Sequence, residues 1–278
     1  MISVQRNRLA RLAALLGLLF AAAPTWAELV LTAPPREDVQ EGQRVYGPIA
    51  KHLSEVLERT VVYRHPQSWP QYETSMKRDE FDIVFDGPHF AAWRIQNLSN
   101  QAVARLPGSL AFVLVVREDD PAQQPRDLVG ERICSLPAPN LAGLTLYGMF
   151  PNPARQPEMS IIRQGGFREI TRAFEEGKCR AAIYRKSFYQ AHLPEQTKRS
   201  LRVIRESAPL LNQGITVSRR IGTSEREAIG RALTTPEGGE AVRALLERFA
   251  GKNQKIELAG TGDYQGYNLL HDQMVFGW

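Results

Sequence analysis

The chain has 278 residues, 43% hydrophobic, 23% charged and 8% aromatic, with a formal net charge of +5. That composition excludes a disordered tail, a collagen-like chain and a disulfide-dense mini-protein, and the length allows one large domain or two lobes. Arg6, Arg8 and Arg11 fall within the first 27 residues, which carry no acid; the remainder is close to neutral, at +2, which argues against nucleic acid as the main partner.

The N-terminus gives an address. Residues 1–11 are basic, 12–23 are apolar without a charge, and Pro24 ends the run. Thr25-Trp26-Ala27 then offers small residues at the two positions a signal peptidase reads. This is the layout of a secretory signal peptide, cleaved near Ala27, and the apolar run is too short to span a bilayer. An uncleaved anchor is the other reading. No cysteine follows the cut, so no lipid anchor is expected.

Residues 29–32 read as a strand ended by Pro34-Pro35. Val45, Ile49, Leu53, Val56 and Leu57 recur at helical spacing over 43–57. The β-branched stretch 60–63 is a second strand, 72–78 a short helix, and 81–85 a third strand stopped by Asp86-Gly87-Pro88. A helix follows over 89–95. This alternation favours a parallel sheet with helices on both faces. The strand 111–116 opens a second unit: turn 127–130, strand 132–135, loop 137–140, helix 141–149, strand 160–163, loop 165–166, helix 167–176, strand 179–184, helix 185–191. The restarted pattern predicts two α/β lobes. Further strands are expected at 201–205 and 215–218. Helices are expected at 224–233 and 236–249, with cap signals at Thr223 or Ser224 and at Thr235-Pro236. The glycine-rich stretch around Tyr264 and Tyr267 reads as a loop, and Arg199, Arg202 and Arg205 as a solvated face.

Cys134 and Cys179 are the two cysteines. In an exported chain such a pair suggests one disulfide, closing a 45-residue loop, with two buried thiols as the alternative. The five histidines are scattered, and too few cysteines and histidines remain for a Cys-rich metal site. There is no Gly-x-Ser-x-Gly elbow, no phosphate-binding Walker loop and no His-Glu-x-x-His. We therefore expect neither a cofactor, a metal nor an enzyme.

Several segments carry a resemblance in their order and spacing: 46–53 (Tyr-Gly-Pro-Ile-Ala-Lys-His-Leu), 81–88 (Phe-Asp-Ile-Val-Phe-Asp-Gly-Pro), 127–132, 138–143, 177–182 and 235–239. Together they resemble the periplasmic solute-binding proteins of ABC importers, type II fold, in the phosphonate-binding branch. The resemblance implies two lobes joined by two crossing strands, closing like a flytrap on a small ligand and docking on a membrane permease. The lobes it implies are 28–110 with 214–278, and 111–213. A monomer in the periplasm is the family expectation, and a sensory or accessory role at a membrane receptor is the alternative.

Ligands of open α/β sheets bind at the carboxyl ends of the strands. That rule, on the implied fold, nominates Arg36, Asp86, His89, Asn140, Leu141, Ala142, Tyr184 and Arg185 as ligand contacts; Tyr46, at the head of its helix, could stack on the ligand or pack in the core or on the surface. The family's Ser and Thr hydroxyls at the anion loop are absent from Pro139-Asn140-Leu141-Ala142-Gly143, a family histidine is replaced by Phe167, and a family tyrosine by Asp86. An anion could still meet the helix start at 141 and Arg36, Arg185 or Lys186. Asp86 could instead take an amine or a hydroxyl, or simply form a turn.

Overall fold

The structure is a computed structural model describing residues 27–162, 165–260 and 262–267. The predicted export segment up to residue 26, Arg163 of the strand predicted at 160–163, and the C-terminal residues from 268 lie outside the described residues.

The chain opens with β1 (Leu29–Thr32), α1 (Val39–Leu57), β2 (Val61–Tyr63), α2 (Trp69–Lys77), β3 (Ile83–Asp86) and α3 (Pro88–Leu98). β1 pairs in parallel with both β2 and β3, as the alternation predicts. α1 starts earlier than the apolar stripe suggests because the Asp38 side chain caps it, accepting from the Glu41 N–H. Ser68 does the same for α2 through the Gln71 N–H, with Pro70 in its first turn.

The sheet is not wholly parallel. β4 (Gln101–Arg105) is a strand that sequence reading misses, since its two alanines are weak strand formers. β12 (Gly214–Val217) enters between β3 and β4 and runs antiparallel to both. β13 (Glu257–Leu258) closes the edge, giving the order β13-β4-β12-β3-β1-β2. Val45, Ile49 and Leu53 of α1 pack on one face of this sheet, and Tyr72, Met76 and Phe90 on the other.

The second sheet holds β6 (Phe112–Arg117), β7 (Arg132–Ser135), β8 (Glu158–Ile161), β9 (Ala181–Arg185) and β10 (Leu201–Glu206), in the order β10-β6-β9-β7-β8. α4 (Leu141–Gly148), α5 (Gly166–Glu175), α6 (Lys186–Ala191) and α7 (Glu195–Arg199) connect its strands. Cys134 on β7 is bridged to Cys179, just ahead of β9, with the two Cα atoms 5.6 Å apart. A cross-link over this separation contributes roughly 3–4 kcal/mol.

Between the sheets the chain crosses out through β5 (Ser109–Leu110) and back through β11 (Leu210–Leu211), which pair antiparallel. The Asn212 amide donates to the Pro107 carbonyl at 2.8 Å, and Leu106 N–H to the Gln213 carbonyl at 2.8 Å. The Tyr264 hydroxyl donates to the Asn212 carbonyl at 3.0 Å, and the Tyr267 hydroxyl accepts from Leu211 N–H at 3.2 Å. The stretch read as a loop thus straps the returning strand. α8 (Thr223–Thr234), α9 (Pro236–Ala241) and α10 (Arg243–Phe249) follow. The single helix predicted over 236–249 breaks at Val242; Gly238 and Gly239 weaken the first half.

Candidate functional site

The carboxyl ends of β1, β3, β7 and β9, with the amino ends of the antiparallel β6 and β12, lie beside the β5–β11 crossing. A pocket of about 150 Å³ lies between them. Its first wall comes from the six-stranded side: Arg36 after β1, Trp69 at the start of α2, Gly87, His89 and Phe90 at the start of α3, and Phe249 at the end of α10. The opposite wall comes from Phe112 on β6, Pro139, Asn140 and Leu141 at the start of α4, Phe167 on α5, and Arg185 at the end of β9. Leu110 and Gln213 of the crossing segments close the back.

Three polar contacts span or anchor this arrangement. Arg36 Nη1 donates to Gln213 Oε1 at 2.9 Å. Arg185 Nη2 donates to the Phe249 carbonyl at 2.9 Å, from one side to the other. His89 Nε2 lies 3.0 Å from the Pro139 carbonyl, so Nε2 carries the proton and donates. His89 is placed by Pro88 in the first turn of α3 and by Gly87, where a Cβ would stand 2.7 Å from the imidazole.

The electrostatics favour an anion. Among the described residues no acidic side chain lines the pocket, whereas two guanidiniums do. Burial, and then the charge of Arg36, push the Arg185 guanidinium down to about 10, and its Nε is buried without a hydrogen-bond partner. A cation in that state gains from an incoming negative charge. Arg36 stacks over Phe85 and Phe249, 5.8 and 5.4 Å from their ring centres, which fixes its head in the pocket. Glu37, its neighbour in sequence, has a fully buried side chain with Oε1 3.0 Å from Arg248 Nε.

Of the sequence-nominated residues, Arg36, His89, Asn140, Leu141 and Arg185 line the pocket. Four others do not. Asp86 is fully buried behind it, where the Tyr72 hydroxyl donates to Oδ2 at 2.7 Å and Arg94 pairs with the same oxygen. Its Oδ1 is buried without a hydrogen-bond partner, and Asp86 is not among the residues that line the pocket. Tyr46 is fully buried against Tyr63 and Phe85, and burial pushes its hydroxyl far above the ordinary range. Tyr184 faces the core with Phe167 and Phe188. Ala142 is fully buried, and its N–H, expected to meet an anion, is taken by the Asn140 side chain at 2.9 Å. Sequence reading missed Trp69, Phe112, Gln213 and Phe249. Gln213 had a signal, since it immediately precedes the strand that returns to the first sheet; the aromatics had none that separates them from core residues.

Two α/β lobes, two crossing strands and a pocket between the lobes define a periplasmic binding protein of the type II fold. Residues 31–264 match the family described as ABC transporter, phosphonate, periplasmic substrate-binding protein, and the chain belongs to that family of binding proteins, which are not enzymes. No curated protein matches it in sequence. Among solved structures it is similar to XAC2383 from Xanthomonas citri bound to chloride, at 16% identity and TM-score 0.70, covering 89% of this chain and 99% of that one. It is also similar to PhnD1 from Prochlorococcus marinus in complex with methylphosphonate, at 13% identity and TM-score 0.68, covering 88% and 97%. An ancestral arginine-binding protein bound to arginine shares the fold at 15% identity and TM-score 0.51, covering 82% and 100%. Membership of a periplasmic family implies that the chain is exported, and members serve membrane permeases with small-molecule ligands.

Proposed function

We propose that the chain captures a small oxyanion, phosphonate-like in its head group, in the cleft between two lobes and delivers it to an ABC permease. The lobes are 28–110 with 214–278, and 111–213. One observation carries the reading: Arg36 and Arg185 come from opposite lobes into one pocket whose described wall holds no acid. Guanidiniums offer paired donors that match planar or tetrahedral oxyanions. Methylphosphonate, named with one neighbour of the same fold, is such an oxyanion, whereas another neighbour is named with arginine. Work proceeds by binding and closure, without covalent chemistry, in a monomer with no role for nucleic acid.

The test is a thermal-shift and calorimetric panel of methylphosphonate, phosphite, phosphate, sulfonates, amines and amino acids. Oxyanions should stabilise the protein, by roughly 2–4 kcal/mol at large excess over the dissociation constant. Arg185→Met should weaken oxyanion binding about 10- to 100-fold, as expected for a lost charge-assisted hydrogen bond. Binding of amines but no oxyanion would sink the reading. The missing hydroxyls at 139–143 motivate the second reading, a sensory or accessory protein; recovery of a receptor rather than permease subunits in a membrane pull-down would favour it.

A further inference from the structure

Glu37 is a buried charge that ligand contact does not explain. It follows Arg36 in the chain, yet it is not among the residues that line the pocket, and its side chain is wholly buried. Oε1 stands 3.0 Å from Arg248 Nε, and among the described residues neither carboxylate oxygen has a hydrogen-bond partner. Burying a carboxylate with so little compensation costs more than burying an apolar side chain of the same size. Packing therefore gives no reason for the charge.

Position gives one. Arg248 lies in the last turn of α10, next to Phe249. Its guanidinium sits over the Phe249 ring at 5.2 Å and also reaches Glu41 of α1 at 3.2 Å. Glu41 is shared with Arg44 and partly exposed, so Glu37 is the partner that water does not reach. What this pair holds is a wall of the cleft. The Phe249 ring carries Arg36, and the Phe249 carbonyl accepts from Arg185 across the cleft. That carbonyl is among the last four of α10, which the helix itself leaves without partners. α10 has seven residues, and Gly251 follows it at a φ of +107°. So short a helix does not fix its own end, and helix ends fray.

We propose that Glu37 is a positioning residue for ligand capture: through Arg248 it holds the Phe249 carbonyl where Arg185 meets it on closure. The proposal rests on the reading that an oxyanion is captured between the lobes. The sign of one effect separates position from field. A negative charge one residue from Arg36 weakens the pull on an anion, so a field effect alone makes Glu37→Gln bind an anion more tightly. A positioning role makes the same variant bind more weakly, through faster dissociation, because closure is what retains the ligand.

The experiment is calorimetric titration and stopped-flow dissociation with methylphosphonate and phosphite. The proteins are wild type, Glu37→Gln, Arg248→Met, Arg185→Met and the double variant Glu37→Gln with Arg185→Met. Glu37→Gln and Arg248→Met should each raise the dissociation constant about tenfold, most of it in the dissociation rate. In the Arg185→Met background, Glu37→Gln should add less than about threefold, because the contact it positions is already gone. Melting temperatures are read on the same preparations. A lower melting temperature with unchanged affinity overturns the inference, and so does tighter binding by Glu37→Gln or a full additional loss on top of Arg185→Met. Arg248, with a third of its side chain exposed, carries the same test should Glu37→Gln fail to fold. In each of these cases wild-type binding leaves the oxyanion reading standing. A wild type that binds neither probe overturns both.

Discussion

Tyr72, Asp86 and Arg94 sit within one another's reach in the core of the first lobe, each 1% exposed or less. Burial pushes the Asp86 carboxyl up, and the Arg94 guanidinium and the Tyr72 hydroxyl oppose it. Removing one partner strands a buried charge, while removing both does not. Asp86→Asn should therefore cost about 3–5 kcal/mol of stability, and Asp86→Asn with Arg94→Met should recover much of it. Denaturant midpoints of the two variants check this; equal losses would mean that the pair's charge is immaterial. The same residue marks the limit of what sequence shows. Strand ends are legible, but a strand alternates its side chains between two faces. Tyr184 turns into the core while Arg185, one residue on, reaches the cleft, and nothing in the stretch 181–185 states that parity. Arg36 and Asn140, on loops after strands, and His89, in the first turn of the helix that follows β3, were readable because the carboxyl-end rule concerns the segments just after strands.

At the scale of elements, α4 is the tightest piece of the site. Its residues from Leu141 to Leu146 are all buried, and Asn140 caps it. A Cβ on Gly143 would stand 2.6 Å from the Leu136 carbonyl and 3.2 Å from the Ala138 nitrogen, both backbone atoms of the cleft loop. Neither can swing away as a side chain would. Gly143→Ala should cost about 1–3 kcal/mol and weaken oxyanion binding by displacing Pro139 and Asn140. A melting curve and a titration on one preparation test both halves, and an unchanged affinity would separate α4 from the site. The β-α rhythm of both lobes was legible because apolar periodicity runs through it. β4 and β13 were not, since an Ala-rich strand and a two-residue edge strand carry little pattern. The break at Val242 hides because both halves of 236–249 keep helical spacing.

At the scale of the whole molecule, three contacts bear on the hinge closure proposed above. Arg185 to Phe249 and His89 to Pro139 join opposite sides, whereas Arg36 to Gln213 ties one wall to the crossing. Opening must break the first two and can spare the third. Small-angle scattering should show a larger radius of gyration for the empty protein, and methylphosphonate should draw it toward about 18 Å, the value for a compact chain of about 250 residues, the length from residue 28 onward. Identical radii with and without bound ligand would count against hinge closure. The two-lobe plan itself was legible from the repeated β-α units, but the pairing of β5 with β11 was not, because two-residue strands a hundred positions apart leave no periodic trace.

The insertion of β12 between β3 and β4 bears on how the chain matures after export. The five-stranded sheet is drawn from one uninterrupted stretch, residues 112–206, whereas the six-stranded sheet lacks an inner strand until residue 217 is free. A chain threaded N-terminus first thus emerges with β1, β2 and β3 exposing an unpaired inner edge. Its second lobe can fold while the first still waits. Long-range pairing of this kind is slow. The first lobe to emerge is thus the last to be completed.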